Sequence, residues 1–145
     1  MPTLFCSRHL PADALALAHG RATLRLPPED RHLPPAELGR QVEAAEGLVC
    51  LLTDTVDETL LERARQLRVI ANVAVGFDNI DVAAATRRKI VVTNTPGVLT
   101  ETTADFTWAL LLATARRVAE ADAYTRAGQY KEWGLTLLLG GDVFG

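Results

Sequence analysis

Few of the 145 side chains are suited to chemistry, and their placement narrows what that chemistry could be. His9, His19 and His32 all fall near the amino end, in a loop or at helix ends, where an imidazole is an exposed or capping group. Cys6-Ser-Arg-His9 has the gap of a metal-binding pair, but no second pair completes a four-ligand set, so no metal site is expected. The chain contains no G-x-G-x-x-G, and hence no phosphate-binding helix start of the kind on which dinucleotide binding depends. A more promising element is Val75-Gly76-Phe77, which follows the apolar run Val69 to Val73. If that run is a strand, the turn lies at its carboxyl end, where open parallel sheets bind ligands. Glycine lets backbone approach a small anion, and consecutive N–H groups can cradle a carboxylate. The spacing also fits a plainer role, in which Gly76 makes only a strand-to-helix turn and Asp78 or Asn79 caps the helix.

Elements to position such a turn are legible along the chain. Thr3 to Cys6, Ala22 to Leu26, Leu48 to Leu52, Val69 to Val73 and Ile90 to Thr93 read as strands. Helical patterns separate them: Pro11 opens the first and Gly20 closes it, Pro35 opens the second and Gly47 closes it, and Asp57 caps the third. In the third, Leu60, Leu61, Ala64 and Leu67 share a face opposite Glu58, Glu62 and Arg65. A short fourth helix spans Val82 to Arg88. Strands alternating with helices predict a parallel sheet covered on both faces, because a parallel crossover needs a helix-length connection. Five strands suit a flavodoxin-like α/β order.

Asn94-Thr95-Pro96-Gly97 reads as turn punctuation before a different kind of helix. Thr100 or Thr102 can cap it, Asp105 sits where a first-turn carboxylate meets the helix dipole, and no Pro or Gly interrupts it before Gly128. Roughly 26 helical residues would span about 40 Å. Phe106 to Ala115 is apolar nearly all round, so this helix is expected to be buried on several sides.

Composition bounds the rest. A length of 145 residues with 48% hydrophobic content is enough for one full core and too short for two ordinary domains. The net charge of −3 comes from interspersed acids and bases, with no basic field for nucleic acid. Cys6 and Cys50 are distant and sit in apolar stretches, so they are expected to be buried, reduced thiols on neighbouring strands, in a cytoplasmic setting. The amino terminus lacks the pattern of a signal peptide, and the Phe106 to Ala115 run is about half a membrane span.

Arg68-Val-Ile-Ala-Asn-Val-Ala-Val-Gly-Phe-Asp-Asn-Ile-Asp81, Asn94-Thr-Pro-Gly-Val-Leu-Thr100 and Ala115-Arg-Arg117 resemble one family. It is that of the D-isomer-specific 2-hydroxyacid dehydrogenases, in the branch of glyoxylate and hydroxypyruvate reductases, and the likeness runs from about residue 45 to Gly145. The resemblance implies a substrate-binding lobe over residues 1–98 and a linking and dimerising helix with an arm over 99–145. The Rossmann cofactor domain of the family would follow. It implies that the amides of Val75 and Gly76 bind the substrate carboxylate, with Leu52-Thr53 closing another side. Thr103 would face the nicotinamide of NAD or NADP. Asn94 to Gly97 would be one of two crossings between lobes. Trp108, Leu111, Trp133 and Leu137 would meet a second subunit, making a homodimer. Leu99 departs from the asparagine of other members, which fits the glyoxylate-reductase branch.

In the family the histidine acid/base, its carboxylate partner and the carbonyl-polarising arginine come from the part matching beyond residue 145. No catalytic residue is therefore expected in this chain, which alone should bind no cofactor tightly and turn over no 2-oxo acid. The competing reading is a non-enzymatic flavodoxin-like binding or dimerisation module. Two relatives of that shape fit poorly. A phosphoreceiver needs acids after the first strand, where Ser7-Arg8-His9 stands, and a flavodoxin needs a hydroxyl- and Gly-rich phosphate loop there.

Overall fold

The computed structural model describes residues 1–144. The five apolar runs become strands β1 (Thr3–Cys6), β2 (Thr23–Arg25), β3 (Gly47–Leu51), β4 (Val69–Val73) and β5 (Val91–Thr93). Every pairing is parallel and the order is β2-β1-β3-β4-β5, the flavodoxin-like arrangement expected from the alternation of patterns. Helices α1 (Ala12–Ala16), α2 (Pro35–Val42), α3 (Glu58–Arg63) and α4 (Val82–Arg87) fill the crossovers. Phe5, Leu38, Leu48, Leu61 and Ile70 are among the fully buried side chains of a single core. Each contributes about 1.5–3 kcal/mol of apolar burial.

Asp57 caps α3 as expected, accepting from the Leu60 amide at 2.8 Å. Gly47 has a different job from the one expected: it opens β3 instead of closing α2. A Cβ there would meet the tip of the Leu4 side chain on β1 and press on Val69 of β4, so any larger residue would force Leu4 to shift. The apolar face of α3 is also shorter than its sequence pattern. The helix ends at Arg63, and Ala64 and Leu67 reach the core from the turn that follows. Cys6 and Cys50 are both free and buried, on the adjacent strands β1 and β3.

The chain divides into two compact units, Met1–Gly97 and the segment from Val98 onward. In the second unit the long helix is broken. Residues Thr100–Ala115 form α5 and Val118–Arg126 form α6, with Arg117 between them in left-handed backbone at φ 54°. The cause lies in the arm: the Gly141 amide donates to the Ala115 carbonyl at 2.8 Å, and Gly140 passes so close that a Cβ would strike Ala115. Arg117 then reaches Glu120 at 2.6 Å and the Leu139 carbonyl at 3.4 Å. Leu99 occupies the cap of α5, so neither Thr100 nor Thr102 caps it, and Glu101 replaces Asp105 as the first-turn acid.

The expected burial of α5 is likewise not supplied within this unit. Phe106 is 64% exposed and Trp108 59%, because α6 and the arm are too few elements to surround a helix that is apolar on all sides. Among the described residues, no helix is long and apolar enough to cross a membrane.

Candidate functional site

Two turns emerge side by side at the carboxyl edge of the sheet, because Leu51 at the end of β3 pairs with Val73 at the end of β4. The first is Leu52-Thr53-Asp54 and the second is Val75-Gly76-Phe77. In the second turn the backbone carbonyls are occupied. Ala74 accepts from the Thr95 amide at 2.9 Å, Val75 from Asn94 Nδ2 at 2.8 Å, Gly76 from Asn72 Nδ2 at 2.9 Å and Phe77 from the Ile80 amide at 3.0 Å. Among the described residues, the N–H groups of Val75, Gly76 and Phe77 meet no protein acceptor, and the same is true of Leu52 and Thr53. All five residues are exposed. The second turn therefore presents donors without free acceptors, and the first adds two more free N–H groups beside it, an arrangement suited to holding a small anion. Gly76 leaves room for it: a Cβ there would meet only Asp78 Oδ2, at 3.8 Å.

Beneath the turns lies a buried polar network. Asn79 Nδ2 donates to the Leu51 carbonyl at 3.1 Å and the Asp54 carbonyl at 3.0 Å, while its Oδ1 accepts from Asn72 Nδ2 at 3.0 Å. Asp54 is buried, and its Oδ2 accepts from Ser7 Oγ and from the Leu51 amide. Its Oδ1 has no hydrogen-bond partner, and the Nδ1 of the half-exposed His32 stands 3.8 Å away. Cys50 points its thiol at Asn72 Oδ1, 3.4 Å away. Burial, and then the Asp54 charge, push that thiol up to about 12, so it stays protonated and takes no part in chemistry at neutral pH.

The plainer reading of the glycine turn loses its proposed caps. Asp81 caps α4, accepting from the Ala84 amide at 2.8 Å, while Asn79 is turned inward to the network. His9, His19 and His32 are exposed as expected, with the His9 ring 2.9 Å from the Pro27 carbonyl. Asp54 and Asn72 are not picked out by the sequence, and Asn79 stands out there only as a helix cap. An asparagine inside the apolar run of β4 was the available signal, since a buried amide must find partners. In the second unit Thr103 lies on the first turn of α5, exposed, its amide bonded to the Leu99 carbonyl at 2.8 Å. Trp108, Leu111, Trp133 and Leu137 are all exposed. Among the described residues no group of three or more His, Cys, Asp or Glu side chains could hold a metal. A cavity of about 500 Å³ lies away from the turns, beside Leu67 and Ile90, which precede β4 and β5, and is lined also by Arg65, Arg88 and Glu62.

The chain is similar to known proteins in both sequence and fold. A glyoxylate reductase of Thermococcus gammatolerans is 44% identical over 99% of this chain. A crystal structure of a Thermus thermophilus protein superposes with a TM-score of 0.91 at 46% identity, covering 99% of this chain and 46% of that one. An NADPH-dependent glyoxylate/hydroxypyruvate reductase of Sinorhizobium meliloti, in complex with citrate, gives a TM-score of 0.74 at 28% identity, over 90% of this chain and 40% of that one. The chain spans less than half the length of the curated relatives it matches, 44% in the case of the Thermococcus enzyme. Residues 5–133 match the family model described as D-isomer specific 2-hydroxyacid dehydrogenase, catalytic domain, and the chain belongs to that family.

Proposed function

We propose that residues 1–98 are the substrate-binding lobe, and residues 99–145 the linking and dimerising segment, of an NAD(P)-dependent oxidoreductase. Its substrates are small 2-oxo acids of the glyoxylate or hydroxypyruvate type, reduced to D-2-hydroxy acids. The observation that carries this reading is the Val75-Gly76-Phe77 turn, whose carbonyls are satisfied and whose amides are free, beside the free amides of Leu52 and Thr53. The amides of Val75 and Gly76 take the substrate carboxylate, and Leu52-Thr53 bounds it from the side of β3. A carboxylate receiving two or three backbone N–H groups is held by charge-assisted bonds, which fix the orientation of its 2-oxo carbon. NAD or NADP, when bound, supplies the hydride, and Thr103 faces its nicotinamide end. The 145 residues contain no glycine fingerprint for its phosphates, so the isolated chain binds cofactor weakly and does not turn over.

The apolar surface of α5 and the arm, with Trp108, Leu111, Trp133 and Leu137 exposed, supports association with a second copy. A cytoplasmic setting fits the two reduced thiols.

The test is a ¹⁵N amide titration of the 145-residue chain with glyoxylate. Saturable shifts centred on Val75, Gly76, Leu52 and Thr53 are expected. Shifts confined to other regions, or none at millimolar glyoxylate, would overturn the assignment.

A further inference from the structure

The two turns are joined by a pair of asparagine side chains, Asn79 and Asn72. Asn79 holds the first turn by donating to both Leu51 and Asp54 carbonyls, at 3.1 and 3.0 Å. Through its Oδ1 it also holds Asn72 Nδ2 at 3.0 Å, and Asn72 in turn holds the Gly76 carbonyl of the second turn at 2.9 Å. Every polar group of the Asn79 side chain is thereby used, and Asn72, the middle of the chain of bonds, is 2% exposed. The backbone of Asn79 ties down the same region a second time, its carbonyl accepting from the Val56 amide at 2.8 Å.

We infer that Asn79, acting through Asn72, is a positioning residue that sets the spacing between the two amide turns, so that one small carboxylate is gripped by both at once. The inference rests on the substrate-site reading above and adds to it the part that makes two turns into one site. Neither asparagine touches the anion. Their contribution is that the free amides of Leu52 and Thr53 and those of Val75 and Gly76 act as one preorganised set. A peptide carbonyl shares one rigid plane with the N–H of the next residue, so the bonds to the Leu51 and Gly76 carbonyls fix the Leu52 and Phe77 amides, one at each turn.

The experiment titrates the intact 145-residue chain with sodium oxalate and follows backbone and side-chain amides by NMR, in the wild type, Asn79→Ser and Asp57→Ala. Asn79→Ser removes the bridge without adding charge. Asp57→Ala removes the cap of α3 and so loosens the lobe outside the network. In the wild type both turns and the Asn79 side-chain amide should follow one binding curve. In Asn79→Ser the Val75 and Gly76 amides should still respond, about tenfold more weakly, which corresponds to the loss of one good hydrogen bond. Leu52 and Thr53 should cease to respond. Asp57→Ala should keep a single curve for both turns.

An Asn79→Ser protein that binds with the wild-type midpoint at both turns would overturn the inference, as would uncoupling of the turns by Asp57→Ala. If Asn79→Ser does not fold, the wild-type measurement decides, because Asn72 and Asn79 side-chain signals that stay fixed while both turns shift would also overturn it. Absence of any response at both turns in the wild type would instead remove the substrate site itself, a distinct result.

Discussion

Replacing Gly76 by alanine separates a glycine kept for ligand from one kept for backbone. The φ of Gly76 lies outside the left-handed region, so an L side chain is not strained there. The new methyl would have one neighbour within 4 Å, Asp78 Oδ2 at 3.8 Å, an ordinary van der Waals separation. The Gly76 carbonyl keeps its bond from Asn72. Folding should therefore be unharmed, and the reduced freedom of the unfolded chain should stabilise the lobe by about 0.4–1 kcal/mol. Binding should move the opposite way. The methyl would stand in the open space over the turn that a carboxylate must occupy, displacing it from at least one amide. A hydrogen bond to a charged group is worth about 1.5–3 kcal/mol, so glyoxylate or oxalate should bind roughly 10- to 150-fold more weakly. Urea denaturation gives the first quantity and calorimetric or NMR titration the second. A loss of more than about 1 kcal/mol of stability would show that the glycine serves the backbone. Unchanged affinity would show that this turn does not hold the anion.

Other expectations follow from the same physical reasoning. With its thiol raised from an ordinary 9.0 to about 12, Cys50 should label at pH 8 roughly a thousandfold more slowly than a free thiol, and rapid labelling of the native chain would contradict its burial. The same shift ties stability to pH: the protonated thiol's contribution is complete below the unfolded value of 9.0 and is lost as pH rises toward 12, so an alkaline unfolding transition that moves down by mutation of Cys50 to serine would be inconsistent with it. Asp57→Ala and Asp81→Ala each remove a cap whose oxygen accepts at 2.8 Å and should each cost about 1 kcal/mol in denaturant melts. The wild-type chain should sediment as an associated species at micromolar concentration and Leu111→Asp should dissociate or unfold it; a clean monomeric wild type would refute the role given to α5. Purified 145-residue chain mixed with NADH or NADPH and glyoxylate should show no absorbance loss at 340 nm, and catalytic turnover would refute the absence of an acid/base in these residues.

Local rules in the sequence determined the alternation of strands and helices, the parallel sheet, the Asp57 cap and the burial of both cysteines. Each depends on residues close together in the chain, on period, propensity and a side chain bonding an amide three residues on. The Val75-Gly76 turn was legible for the same reason, since its position after an apolar strand follows from topology alone. Tertiary structure decided the rest. Gly47 reads as a helix stop until Leu4 and Val69 are seen pressing on it from the neighbouring strands. The pattern from Thr100 to Ala127 reads as one helix, and only the arm, bringing the Gly141 amide to the Ala115 carbonyl, divides it at Arg117. Asn79 looks like a cap for the helix beside it, yet its partners are the carbonyls of Leu51 and Asp54, 28 and 25 residues away. A half-buried amide is satisfied by whichever carbonyl the packed sheet brings to it, and sequence spacing carries no record of that distance.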